Sequence, residues 1–369
     1  MQRMTNISRR EFLRLAALGT AGLAFRRYGY GLPKGLSSGS PFKQIPQGER
    51  LGRILATAEV KDKPDADAST IGTLYEDNLV VWLREVTGVN LNRDVQRWVE
   101  TPDGYIWSPR LQPVRNQPNK VVDELPQTSK GPGMWAEVTV PYVDISLENP
   151  PARSPWLKAN PEFQRLYYSQ IVWIDQIRKR EGQATLYRVN ELYGSYGDRF
   201  WADAAGFLPL TKEETAPISP DVEDKKIVVD TTYQMLSCYE RNSEVYFCRV
   251  STGAKFNDVG QRVDNWATPP GTHHTWRKLL SLHMAGGTAS AGYDLPGIAW
   301  TVLFASGGVA IHSTFWHNNY GVPMSHGCVN ARPDDAKWIF RWTSPNVPYD
   351  PGDITVQMPG GTPVQVLEE

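Results

Sequence analysis

Ser325-His326-Gly327-Cys328-Val329-Asn330, preceded on an apolar run by Ile311-His312-Ser313, is the stretch from which the fold and chemistry of this chain are read. It sets one thiol and two imidazoles around a glycine turn. A free cysteine titrates at about 8.5, so near neutrality it needs an imidazole to take its proton or to stabilise the thiolate. His312 and His326 each offer one. Because His312 precedes the cysteine, the order is the reverse of the papain-like one, and a papain-like fold is not expected. A zinc site built from His312, His317, His326 and Cys328 is the other reading, since imidazole and thiolate both bind zinc. No carboxylate or second cysteine stands at a familiar ligand spacing, so no metal is expected.

All six histidines fall between His273 and His326, which concentrates the acid–base capacity of the chain in its last third. The same segment opens with Lys226-Ile227-Val228-Val229-Asp230, continues through Gln234-Met235-Leu236 and a turn at Arg241-Asn242-Ser243, and reaches Val250-Ser251-Thr252-Gly253. Thr268-Pro269-Pro270-Gly271-Thr272 follows. These residues, with the His312 and Cys328 motifs, resemble the signature of the L,D-transpeptidase (YkuD-type) catalytic domain. Only the loop between His312 and Ser325 departs, being slightly shorter than the family spacing.

The resemblance implies a β-sandwich-like catalytic domain over residues 225–369, with a short helix after the nucleophile beginning near Pro333. It implies that Cys328 attacks a carbonyl and forms a thioester, with His312 as general base and its other ring nitrogen oriented by the Ser313 carbonyl. His326 is then a supporting group, although a reading with His326 as the base stays open. Backbone N–H groups around Gly327 and Cys328 form the expected oxyanion hole. Ser325, Asn330 and Tyr293 are assigned to the substrate side, Ser325 also bonding within its loop, and the Gly-rich stretch 285–292 is a candidate flap. No cofactor is implied. The implied partners are peptidoglycan stem peptides, as donor and acceptor; a carboxypeptidase-type hydrolase on the same thioester and a non-catalytic wall-binding scaffold are the alternatives.

Outside this domain, the 369-residue chain has room for two or three domains. Its 39 basic and 40 acidic residues leave no footprint for nucleic acid. Thirteen Trp, 16 Tyr, 31 Gly and 28 Pro describe short strands and turns, so a mainly β protein is expected. Ser8-Arg9-Arg10-Glu11-Phe12-Leu13-Arg14 and the apolar run Leu15 to Phe25 look like a twin-arginine export signal, and residues 1–47 read as that signal plus a flexible tether. An extracytoplasmic enzyme handled by the twin-arginine machinery, membrane-tethered if the signal is retained, is expected.

Short alternating segments over residues 51–114 read as a small barrel, and the closing phrase Gly104-Tyr105-Ile106-Trp107-Ser108 resembles the end of a bacterial SH3-like domain, a module that could bind wall glycan or peptide. Residues 134–210 form a divergent second β-rich unit, because Arg199 to Leu210 echoes the first closing phrase. Within it Pro161 to Arg180 reads as an inserted amphipathic helix. Thr211 to Asp224 reads as a linker. Cys238 and Cys248 flank the turn at Arg241-Asn242-Ser243 and are either a cross-strand disulfide or two buried thiols, depending on register.

Overall fold

The computed structural model describes residues 45–91, 93–160, 165–255, 266–286 and 293–368. The export-signal residues and most of the Gly-rich stretch 285–292 lie outside the described residues. No described helix is long and apolar enough to cross a membrane. Strands dominate throughout, as the aromatic and turn-rich composition requires.

Residues 51–114 build a three-stranded sheet, with Leu51–Ile54 between Leu79–Val81 and Leu111–Val114, against a five-stranded sheet. Ile54, Val60, Trp82, Val99, Ile106 and Leu111 fill the space between them. Residues 134–209 form one seven-stranded sheet. Its connectivity repeats that of the first unit. In each, the first strand pairs with the last, Leu51–Ile54 with Leu111–Val114 and Met134–Val138 with Phe207–Pro209. In each, a single 3-10 turn, Ser108–Arg110 or Ala204–Gly206, precedes that last strand.

The backbone bonds that close the two corners also correspond. Ile54 donates to Asn78 and accepts from Asp77, while Val138 donates to Gln170 and accepts from Ser169. Asp77 and Ser169 both take left-handed backbone, at φ 64° and 71°. Leu55 donates to Arg110 as Thr139 does to Gly206.

The helix expected over Pro161 to Arg180 is not present among the described residues of that stretch. Strands Arg165–Tyr167 and Ile171–Arg178 stand there, reversed by the turn at Ser169. The run Ile171-Val172-Trp173-Ile174 is buried on all sides, which a β-branched strand satisfies and a one-faced helix does not. A bulge between Ile174 and Gln176 lets this strand pair with Met134–Val138 at its start and with Leu186–Val189 along its second half.

The C-terminal unit is two five-stranded sheets. Its elements are β1 (Lys225–Asp230), β2 (Met235–Glu240), β3 (Ser243–Arg249), β4 (Gly271–His274), β5 (Arg277–Gly286), β6 (Tyr293–Leu303), β7 (Ala310–Ser313), β8 (Val329–Ala331), α1 (Pro333–Trp342), β9 (Asp353–Thr355) and β10 (Pro363–Leu367). One sheet runs β3-β2-β1-β10-β4 and the other β8-β7-β6-β5-β9. Ile227, Val229, Leu236, Val302, Ile311 and Val329 pack between sheets and helix, and Trp135, Ile171 and Trp173 of the middle unit join the same core.

α1 starts with Pro333 in its first turn and Asp334 and Asp335 at its positive end, as its sequence signals predict. Buried Lys278 donates to the carbonyls of Phe340 and Thr343, satisfying acceptors that a helix end leaves open. On the β2–β3 hairpin, Cys238 lies opposite Tyr246 and Cys248 opposite Leu236. That register sets the thiols diagonally, about 7–8 Å apart at Cα, beyond the reach of a relaxed disulfide. Both are free and buried, and the bridge is excluded.

Candidate active site

The parallel pairing of β7 and β8 sets Ile311 opposite Val329, His312 opposite Asn330, and Ser313 opposite Ala331. Ile311 and Val329 turn into the core. Side chains alternate along a strand, so His312 and Asn330 project from the other face, where Ala310 packs and Cys328 touches the small Leu279–Leu303 cluster.

The turn carrying Cys328 is held from three directions. Ser325 and Met324 both donate their N–H to the Thr252 carbonyl, and Ala254 donates to Ser325. Ser251 and Asn330 exchange both backbone bonds, at 2.9 and 2.8 Å. Thr268 Oγ1 donates to the Gly327 carbonyl at 2.8 Å and accepts from the Gly253 N–H at 2.9 Å. The Ser-Thr-Gly and Thr-Pro-Pro-Gly stretches, far apart in sequence, thus meet on one turn. A Cβ at Gly253 would fall 2.0 Å from the Trp266 carbonyl, so only glycine fits this convergence. Gly327 sits at φ +121°, likewise a glycine conformation.

His312 is 2% exposed, and its Nδ1 lies 2.9 Å from the Ser313 carbonyl. That carbonyl can only accept, so Nδ1 carries the proton and Nε2 is left as a lone-pair base. Burial pulls its pKa down to about 4, against the smaller raising effect of the Ser313 bond. The ring is therefore neutral at neutral pH. Cys328 is partly exposed, with Sγ 3.9 Å from the Gly308 carbonyl. Burial raises its pKa and the Ala310 N–H opposes that effect. A neutral imidazole and a neutral thiol therefore stand at this site at neutral pH.

His326 is exposed and stands edge-on to Trp266, at 4.4 Å between ring centroids. Partial desolvation lowers its pKa. Gly327 donates its N–H to Ser325 Oγ, and Ser325 Oγ donates to the Cys328 carbonyl. Ser325 therefore staples the turn, with its one donor spent on the Cys328 carbonyl. Gly327's N–H is likewise engaged, whereas the Cys328 N–H has no acceptor among the described residues. Asn330 is 1% exposed, which removes it from the substrate side. Tyr293 opens β6 opposite Gly286, and its side chain lies outside what is described.

His317 explains Asn330. Its Nδ1 accepts from the Asn319 N–H at 3.2 Å, so the neutral ring, with its pKa pulled to about 3 by burial, carries its proton on Nε2. That nitrogen lies 2.8 Å from the Asn330 amide, whose Oδ1 is otherwise without a partner. Turning the amide so that Oδ1 accepts satisfies both groups, and amide orientation is assigned from such networks. Among the described residues no group of three or more His, Cys, Asp or Glu could hold a metal ion.

Sequence reasoning gave no role to the loop after His312, and the structure shows it gripped by both N-terminal units. Arg53, fully buried in the first unit, donates to the Phe315 carbonyl at 3.1 Å, to Gln112 at 2.8 Å and to Asp77 at 2.7 Å. Asn318 donates to the Ser108 carbonyl at 3.3 Å. Phe315 stacks on Tyr167, and Trp316 packs edge-on to Phe315 and tilted against His312. A contact between residues 53 and 315 has no local signature, because neither residue's type nor its neighbours point to the other.

The C-terminal unit is thus a two-sheet β domain with a tautomer-locked imidazole on the strand beside a cysteine turn. Residues 224–366 match the YkuD family model, the L,D-transpeptidase catalytic domain. No curated protein matches the chain. Among solved structures it is similar to an L,D-transpeptidase of Enterococcus faecium, at 24% identity over 40% of this chain and 51% of that one, TM-score 0.30. It is also similar to an L,D-transpeptidase from Mycobacterium smegmatis, at 19% identity over 53% of this chain and 99% of that one, TM-score 0.30. An L,D-transpeptidase of Stackebrandtia nassauensis gives 23% identity over 42% and 64%, TM-score 0.27. The chain spans about half the length of the enterococcal protein.

Proposed function

We propose that the protein is an exported peptidoglycan L,D-transpeptidase. Cys328 attacks the donor carbonyl of a stem peptide while its proton passes to His312 Nε2, and the resulting oxyanion is met by the Cys328 N–H. Collapse expels the terminal D-amino acid as an amine that takes the proton back from His312, leaving a thioester on Cys328. An acceptor amine from a neighbouring stem then attacks the thioester, forms the new amide and returns the thiol. His326 shapes the mouth of the pocket with Trp266. The observation that carries this reading is the tautomer lock of His312 on Ser313, in register beside the cysteine turn.

The two N-terminal units are a tandem pair of SH3-like barrels in this reading, supported by their shared strand connectivity and corner bonds. They carry the wall contact, and the twin-arginine signal delivers the protein outside the membrane. Water in place of the acceptor amine would give the carboxypeptidase-type reaction on the same intermediate.

Mass spectrometry of purified stem-peptide fragments incubated with wild type and Cys328→Ala tests the proposal. Cross-linked dimers and a thioester adduct are expected with wild type alone. Trimmed monomers without dimers would move the assignment to hydrolysis, and products undiminished in Cys328→Ala would end it.

A further inference from the structure

The tandem units supply an internal control. Both build the same corner, in which a strand enters a 3-10 turn and continues into the last strand, yet the residues on it differ. Trp107 ends the strand in the first unit, Trp98 is its cross-strand partner, and Arg110 ends the turn. The equivalent positions in the second unit are Asp203, Leu186 and Gly206. The corner therefore folds without two indoles and an arginine, and their presence in one copy needs another reason.

Those three residues line a cavity of about 240 Å³ in the first unit, together with Asn90, Arg93, Lys61 and one carboxylate, Glu59. Lys61 is already paired with Glu59 at 3.0 Å. Arg93 and Arg110 have no carboxylate partner among the described residues. Desolvation first, and then the charge of Arg93, hold Arg110 below its ordinary value, and the cavity's one carboxylate, Glu59, is paired with Lys61 rather than with either guanidinium. Arg93 lies over the Trp107 ring at 5.7 Å, and the Trp107 indole is fixed by a 2.8 Å bond to the Val95 carbonyl. Trp98 is 2% exposed and its indole N–H has no partner. Two guanidinium forks, an unused buried donor and apolar indole faces are the complement of a planar anion attached to a small organic body.

We propose that this cavity binds the carboxylate of a short peptide, with Arg93 and Arg110 on the anion and Trp98 and Trp107 against the adjoining chain. It rests on the wall-binding reading of the first unit only for the choice of a peptide over another carboxylate. The site lies on the turn whose Ser108 carbonyl accepts from Asn318, so an occupant sits beside the anchor of the His312 loop.

The test is calorimetric titration of the full chain as Cys328→Ala, which separates binding from turnover. Acetyl-alanyl-glutamate, its diamide and inorganic phosphate serve as probes at low salt. The acid is expected to bind saturably, the diamide not to bind, and added salt to weaken the acid. Arg93→Gln and Arg110→Gln should each weaken the acid about tenfold, and Trp98→Phe, which keeps the ring and removes the donor, about threefold. Circular dichroism melts matching the parent show that these variants fold. No saturable binding, an equal response to the diamide, tighter binding of phosphate, or unchanged affinity in folded Arg110→Gln would each overturn the proposal. Failure of the acyl-transfer reading would leave these titrations unaffected.

Discussion

Two buried histidines of the C-terminal unit, His312 on β7 and His283 on β5, are driven in opposite directions by what surrounds them. His312 meets a carbonyl and apolar walls, and burial takes it down to about 4. His283 lies between Glu191 of the middle unit and Asp294 of β6. Burial alone would lower it, but the two carboxylates together raise it to about 10. Asp294 is bonded in turn by Ser154, and Glu191 accepts from the Gly297 N–H at 2.6 Å. Burial thus does not decide protonation; the charge of the partner does. One imidazole is kept neutral, and the other is kept charged as a clamp between units.

The largest effect should come from removing the base. His312→Ala is expected to lower thioester formation by about 10²–10⁴-fold, read as the rate of acyl-adduct appearance by mass spectrometry, with the fold retained. Loss of less than tenfold, alongside a larger loss in His326→Ala, would transfer the base role to His326. The pH profile sharpens the same point. Above about 4 His312 is neutral, so the acid limb of acylation should fall near 4 rather than near the ordinary 6.5. Because burial raises the Cys328 thiol, alkylation by iodoacetamide without substrate should stay slow at neutral pH and rise only in alkaline buffer.

Arg53→Met should come next. It removes the guanidinium that holds the Phe315 carbonyl, leaving Asp77 its second partner, Arg165, at 2.6 Å. A small displacement of a catalytic group can cost up to about a hundredfold, and a fall in kcat of about tenfold with little change in KM is expected. An unchanged kcat in a folded Arg53→Met protein would show that the N-terminal unit does not position the loop.

The clamp should be felt mainly in stability. His283→Leu strands two buried carboxylates and is expected to destabilise by about 3–5 kcal/mol, seen as a lower Tm, while kcat of the folded fraction is retained. The signs for the two histidines also differ. His283, raised in the fold, contributes stability fully present below about 6.5 and lost as pH rises toward 10. His312, depressed in the fold, costs stability as pH falls from about 6.5 toward 4, because only the unfolded chain takes up the proton there. A Tm profile of His283→Leu parallel to wild type above pH 7 would contradict the clamp.

Much of the C-terminal unit is legible locally. The helix after Cys328 follows from Pro333, Asp334 and Asp335, and the strand character of Lys225–Asp230 from its β-branched run. The middle unit was harder, because Phe163, Leu166, Tyr167, Ile171 and Ile174 fit a helical face as well as they fit two strands. Left-handed backbone at Ser169 and burial of both faces of Ile171–Ile174 settle the choice, and both are tertiary facts. The disulfide question turned on register, which no residue type encodes by itself.

Sequence by itself determined the glycine–cysteine turn. A cysteine after a glycine that must take φ +121°, with an imidazole on an upstream apolar strand, leaves few arrangements of backbone and chemistry. Only the tertiary structure decided which groups are tied into the frame of that turn. Ser325 and Asn330 belong to the frame because their hydrogen-bonding groups are engaged or buried within it. Arg53 joined the site from the far end of the chain because a buried guanidinium must find acceptors, and the fold offered it the Phe315 carbonyl.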